Sequence, residues 1–176
     1  MQSIPRHSSG FTLIELLFTI LVAAIILGFA IPNFRSMAAS SRLRTQTNDF
    51  SAAVNFARSS AITRNANVTF CRVDAATDDT CAVNDGTWQN WIVRTPLEVI
   101  RRGAITSPVT IHVESTLASD QLVFGTDGLS RDNTGVVVTA ATITVCSTGL
   151  DVDNTRLITL GGGSRISIEK STGTCS

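Results

Sequence analysis

Hydrophobic and polar positions along the chain fall into three regimes. From Phe11 to Ile31 the sequence reads FTLIELLFTILVAAIILGFAI, apolar on every side and carrying one charge, Glu15. At the usual rise this run predicts about 31 Å of helix, enough to cross a bilayer. Beyond Pro32 there is no proline or glycine until Gly86, and Ala, Ser and Arg are frequent. Here Phe50, Ala53, Val54, Ala57 and Ala61 form the narrow apolar stripe of a helix able to pack on a sheet. After Asn65 the period becomes two and β-branched residues take over. The strands predicted are Val68–Val73, Thr87–Arg94, Leu97–Arg101, Val109–Val113, Leu122–Phe124, Gly135–Thr139, Thr142–Cys146, Arg156–Leu160 and Arg165–Glu169. Turn chemistry separates them at Asn84-Asp85-Gly86, Arg102-Gly103, Thr126-Asp127-Gly128, Ser147-Thr148-Gly149 and Gly161-Gly162-Gly163. The fold class is therefore α+β. A long N-terminal helix, hydrophobic in its first half and amphipathic in its second, packs on an antiparallel sheet or sandwich head.

Composition narrows the class. At 176 residues and 43% hydrophobic, the chain is too apolar for a disordered tail and hardly long enough for two domains. Its 14 Lys and Arg balance its 14 Asp and Glu, but unevenly. Residues 35–64 hold five arginines against Asp49, whereas 65–176 hold eight basic and twelve acidic residues. That layout is polar along the chain and lacks the dominant positive face of a nucleic-acid binder. The four cysteines, Cys71, Cys81, Cys146 and Cys175, all follow the apolar run, which points to disulfides in an oxidising compartment. Three connectivities are open; short loop closure favours Cys71–Cys81 with Cys146–Cys175. Their spacing fits no zinc pattern.

The apolar run has three readings: an uncleaved anchor, a secretory signal, or a helix cleaved just before its apolar part. Glu15 weakens the second, because a carboxylate in an apolar helix is costly in lipid. It has two explanations. One is an acid favoured by the helix dipole near an N-terminus. The other is a charge that meets a cation once the helix enters a protein assembly. Counting Lys and Arg alone would put the C-terminal side in the cytoplasm; the cysteines argue the opposite.

Gly10-Phe11-Thr12-Leu13-Ile14-Glu15, after the short polar leader MQSIPRHSSG, resembles the processing motif of class III signal peptides in type IV pilins and type II secretion pseudopilins. The resemblance implies cleavage between Gly10 and Phe11 by a prepilin peptidase, N-methylation of Phe11, and pairing of Glu15 with the terminal amine of a neighbouring subunit. It also implies four segments: a leader over 1–10, a transmembrane and filament-core helix over 11–31, its amphipathic continuation over 32–64, and a periplasmic β-rich head over 65–176. The protein would sit in a bacterial inner membrane by a single pass before extraction into a filament. Implied partners are the peptidase, other minor pilins, the major pilin and the inner-membrane assembly platform.

The head carries a looser likeness. Phe124-Gly125-Thr126-Asp127-Gly128-Leu129-Ser130 and Gly86-Thr87-Trp88, followed by Gln89-Asn90-Trp91-Ile92-Val93, look like the GspH/FimT-type minor pilin domain. Within it the likeness is to FimU-like minor pilins of type IV pili, with the GspH-like pseudopilins of type II secretion as close neighbours. A third role in that group is DNA binding for uptake. Residues available for it are Arg156, Arg165 and Lys170, a sparse set on an acidic head, so nucleic acid is disfavoured as a partner. No GxSxG, GxxxxGK[ST] or HExxH motif occurs, and neither enzymatic activity, a cofactor nor a metal is expected. His112 reads as a strand imidazole, and Asp78-Asp79 and Asp151 with Asp153 read as solvated loop charges.

Overall fold

In the computed structural model the described residues are 11–107 and 110–175, without the side chains of 29, 30, 32 and 33. The chain divides into two compact units, Met1–Met37 and Ala38–Ser176, and helix α1, Leu13–Arg64, contributes to both. Thr12 caps the start of α1, its Oγ1 accepting the Glu15 N–H at 3.3 Å. Thr12 and Glu15 have the spacing of a capping box. At the far end Asn65 turns left-handed at φ 48°. Its N–H reaches Ile62 O, and the Ala66 N–H reaches Ala61 O at 3.3 Å. This is a Schellman stop, with Asn in the place that Gly most often fills.

The second unit builds its own core. Strands β1 Val68–Val73, β2 Asn90–Arg94, β3 Val99–Ala104, β5 Gln121–Phe124 and β6 Ser130–Arg131 form one sheet, in the order β3-β2-β1-β5-β6. Strands β4 Ile111–Ser115, β7 Ala141–Ser147, β8 Thr155–Gly161 and β9 Arg165–Ser171 form the other, in the order β4-β7-β8-β9. Every pairing is antiparallel. The predicted stripe Phe50, Ala53, Val54, Ala57 and Ala61 is fully buried and shares one core with side chains of both sheets. At its centre Phe70 stacks on Trp88 at 5.4 Å, and Phe50 meets both edge-on at 5.9 and 5.5 Å.

Several predicted boundaries move, each for a local reason. The strand expected over Gly135–Thr139 is a loop in which only Val137 bridges Arg131. Asp132 Oδ1 takes the N–H groups of Thr134 and Val136, and Gly135 sits at φ 90°, so the donors a ladder needs are already used. Arg102-Gly103 is no turn but part of β3. A Cβ at Gly103 would run into the Trp91 indole packed against it across the register. The β2–β3 turn falls earlier, where Thr95 Oγ1 accepts the N–H groups of Leu97 and Glu98. Strand β2 begins at Asn90 rather than Thr87, because the preceding residues are held by a side chain described below.

Candidate functional site

In the first unit the notable surface is the helix itself. Leu13, Ile14, Phe18, Ile20, Leu21, Ile25, Ile26 and Leu27 are all exposed by half or more, and Phe11, Phe34 and Met37 by more than two thirds. A globular helix hides one apolar stripe and shows a polar face; this one is apolar around its circumference and needs lipid or protein to cover it. Glu15 lies in the first turn and is exposed. Among the described residues, no helix is long and apolar enough to cross a membrane. Described side chains run unbroken from Leu13 to Gly28, about 24 Å of rise against a hydrocarbon core of about 30 Å. Gly10, expected before the cut, lies outside the described residues, as does the rest of the leader.

In the second unit both cysteine pairs are bonded, Cys71 to Cys81 and Cys146 to Cys175, with Cα separations of 5.6 and 5.7 Å. The first ties the 74–89 loop back to β1, and the second ties the chain beyond β9 to β7. Gly173 reinforces the second bond, exchanging two hydrogen bonds with the Asn154 side chain at 2.9 and 3.0 Å.

The basic residues considered for DNA do not converge. Arg156 is buried, its Nη1 donating to the carbonyls of Asp153 and Thr155 at 2.7 and 2.8 Å. Lys170 faces it in register, whereas Arg165 pairs with Gly161 at the other end of the hairpin, about 17 Å along the strand. The Arg101-Arg102 pair is engaged as well. Arg101 lies over the Phe56 and Trp91 rings, and Arg102 is bound to Asp79 and to the carbonyls of Ala76 and Asp78.

The strongest polar constellation is one the sequence did not signal. Asp120, 2% exposed, accepts four donors. Its Oδ1 takes Trp88 Nε1 at 2.9 Å and Ser115 Oγ at 2.6 Å; its Oδ2 takes the Gly86 N–H at 2.8 Å and Arg72 Nε at 3.2 Å. The Arg72 guanidinium extends the network to Asp74 and Asn84 O, both at 2.6 Å. One carboxylate thus fixes the 84–88 segment against β1 of one sheet and β4 of the other. Beside it His112, Glu114, Ser115, Asp85, Gly86 and Thr87 line a cavity of about 350 Å³. Among the described residues no group of three or more His, Cys, Asp and Glu is placed to hold a metal ion.

The Phe124–Ser130 string is the β5–β6 turn. Arg131 grips the Asp127 carboxylate at 2.6 and 2.9 Å, and the Leu129 N–H donates to it at 3.0 Å. The guanidinium first, then this amide, holds that carboxyl well below the usual range. Ser130 bonds the Ser164 hydroxyl at 2.6 Å, and Arg58 of α1 donates to Ser164 O at 3.0 Å. Helix and both sheets are thereby pinned at this turn.

Comparison with known proteins gives a consistent result. The family described as type II transport protein GspH matches residues 46–166, and the prokaryotic N-terminal methylation motif matches residues 5–31. Two crystal structures of the type IV minor pilin FimU from Pseudomonas aeruginosa strain PAO1 share the fold. The space group P65 form has 16% identity and a TM-score of 0.51, covering 80% of this chain and 99% of that one. The P21 form has 17% identity and a TM-score of 0.52, covering 84% and 99%. No curated protein matches the chain in sequence. Matched from the amphipathic end of α1 through to β9, over more than half its length, the chain belongs to the GspH family.

Proposed function

We propose that the protein is a structural minor pilin, made with a ten-residue leader, held in the inner membrane and then drawn into a type IV pilus. The observation that carries this reading is the exposed apolar surface of α1 from Leu13 to Leu27, in which the one charged residue is the early carboxylate Glu15. Filament neighbours cover such a rod as well as lipid does, and they add a partner for Glu15. Left unpaired at the bilayer centre a carboxylate costs about 2.5–3.5 kcal/mol, less near the edge. Paired with the freed amine of an adjacent subunit, it aligns one helix against the next. The methylation-motif match over residues 5–31 supports Phe11 as the residue that carries that amine. A second reading, a minor pseudopilin of a type II secretion filament, is favoured by the GspH family itself and uses the same rod and the same Glu15. A DNA receptor is the poorest of the three, since Arg156 is buried and Arg165 lies apart from it.

Mass spectrometry of the mature protein tests the reading. The expected N-terminus is Phe11 with a methylated amine; an intact leader, or a start near Ala39, would overturn it. Glu15→Ala should still be cleaved but be depleted from sheared filaments relative to the membrane fraction. Unchanged incorporation would remove the pairing role.

A further inference from the structure

The second half of α1, from Ala39 to Arg64, gives the head an axis of about 38 Å. Each end of that axis carries unmatched charge, and the two ends differ in sign.

At the Arg64 end, Arg64 pairs with Glu98 at 2.8 Å and holds the β2–β3 turn beside the start of β1. A cavity of about 380 Å³ opens there on the outer face of the first sheet. Its floor is Thr69, Arg94 and Gln121. Thr69 pairs with Arg94 and Cys71 with Gln121, so all three share the face opposite Phe70. Thr80 and Cys81 make one wall, fixed by the Cys71–Cys81 bond, and Thr95 and Pro96 make the other. Arg94 is the one charged residue in the lining. It is half-buried, and its Nε and Nη2 donate to the carbonyls of Thr95 and Pro96 at 3.2 and 3.5 Å. Among the described residues it meets no carboxylate. The acids of the flanking loops are taken, Glu98 by Arg64 and Asp79 by Arg102. A guanidinium so placed among neutral hydroxyls and amides is a seat for a carboxylate.

At the Ala39 end stands the β7–β8 hairpin. A Cβ at Gly149 would lie 3.2 Å from that of Ala39, which puts the hairpin turn beside this part of the helix. The turn presents Asp151, Val152 and Asp153, all exposed. Neither carboxylate has a partner among the described residues, and Arg156 behind them is buried and bound to main-chain carbonyls. The turn is also braced. Asp153 N–H donates to Thr172 Oγ1 at 3.0 Å, Asn154 is bonded to Gly173, and the Cys146–Cys175 bond closes the base. The length of the axis keeps this turn from the Arg94 cavity of its own chain.

We propose that the β7–β8 turn of one copy of this chain seats in the Arg94 cavity of the next. A carboxylate of Asp151 or Asp153 meets the guanidinium, and Val152 packs on Pro96 and on Leu97, which is 95% exposed. Because it joins opposite ends, the contact is head-to-tail, the kind that extends into an open helical assembly. Each disulfide then shapes one half of it. Recurrence of the contact along a filament rests on the assembly role proposed above; the pairing of two heads does not.

The test uses the full chain in detergent micelles, as an equal mixture of light and isotopically heavy copies. Arg94→Lys keeps the cation and supplies an amine, which a carbodiimide joins to a carboxylate touching it. Peptide mass spectrometry should find residue 94 joined to Asp151 or Asp153, in pairs that mix light with heavy chains. A charge exchange, read by sedimentation, is the second arm. Arg94→Glu, and separately Asp151→Lys with Asp153→Lys, should each weaken self-association by about tenfold or more. Mixed together, the two variants should regain it, which misfolded chains would not do. Residue 94 joined chiefly to other carboxylates, joined only within single chains, or not joined at all would overturn the proposal. So would a mixture that regains nothing, or variants that associate as strongly as the unaltered chain. An unaltered chain that does not self-associate would also overturn it, assigning the cavity to a different acidic partner. Methylation of Phe11 is read separately, so failure here and failure of the pilin reading are distinguishable.

Discussion

Asp120 adopts φ 50°, a conformation that non-glycine residues rarely take, and its carboxylate is nearly sealed from solvent. Its two kinds of partner differ in weight. The Arg72 contact to Asp74 ends on a side chain that is 71% exposed, where an ion pair is worth about 1 kcal/mol or less. The contact to Asp120 is buried on both sides. Removing one member of such a pair strands the other and costs about 3–5 kcal/mol. Asp120→Ala should therefore lower the unfolding free energy of the head, read from urea titration, by that amount. Ser115→Ala, which deletes one of four donors, should cost only about 0.5–1.5 kcal/mol. Equal effects of the two would show that Asp120 is not the centre of the network.

At the scale of elements, the β5–β6 turn should be unusually resistant to acid. Asp127 is held below its ordinary value by Arg131 and the Leu129 amide, so it binds its proton less readily folded than unfolded. Its contribution is complete above the unfolded value of about 3.9 and fades only as pH falls below that, toward the lower folded value. A carboxyl carbon titration by NMR should show Asp127 still ionised where ordinary aspartates have protonated. Arg131→Leu should return it toward the usual range. Elements like this were legible where periodicity reports burial. The stripe from Phe50 to Ala61 is a local consequence of facing one core, and the β-branched run Val68–Val73 is buried on both faces, with Val68 and Phe70 in that core and Cys71 and Val73 in a second cluster. The β-branched residues of Gly135–Thr139 favour a strand only if a partner strand exists, and here Asp132 captures the donors instead. The Arg102-Gly103 dipeptide looks like a turn until Trp91 is seen lying over it. The apolar rod and Glu15 could be read directly, since one charge in an oily run is a property of adjacent residues. The Asp120 centre and the cavity beside it could not. Their parts come from Arg72, Gly86, Trp88 and Ser115, and only strand order brings them together.

Across the whole molecule, the two disulfides close loops of different size, 10 and 29 residues. On chain-entropy grounds the longer loop restrains the unfolded chain more, by about 1 kcal/mol. Replacing Cys146 and Cys175 with serine should lower stability by about that much more than replacing Cys71 and Cys81, as measured by paired urea titrations. The reverse order would mean that the fixed 74–89 loop, rather than loop closure, dominates. The aromatic cluster under the helix also has a spectroscopic consequence. The chain has two tryptophans and no tyrosine, and Trp88 and Trp91 both lie inside the head, one bonded through its indole N–H and one not. Its intrinsic fluorescence therefore comes from that interior alone. In a micelle, a membrane or a fibre, emission colour reports whether the head is intact and stays blind to the state of the oily stem.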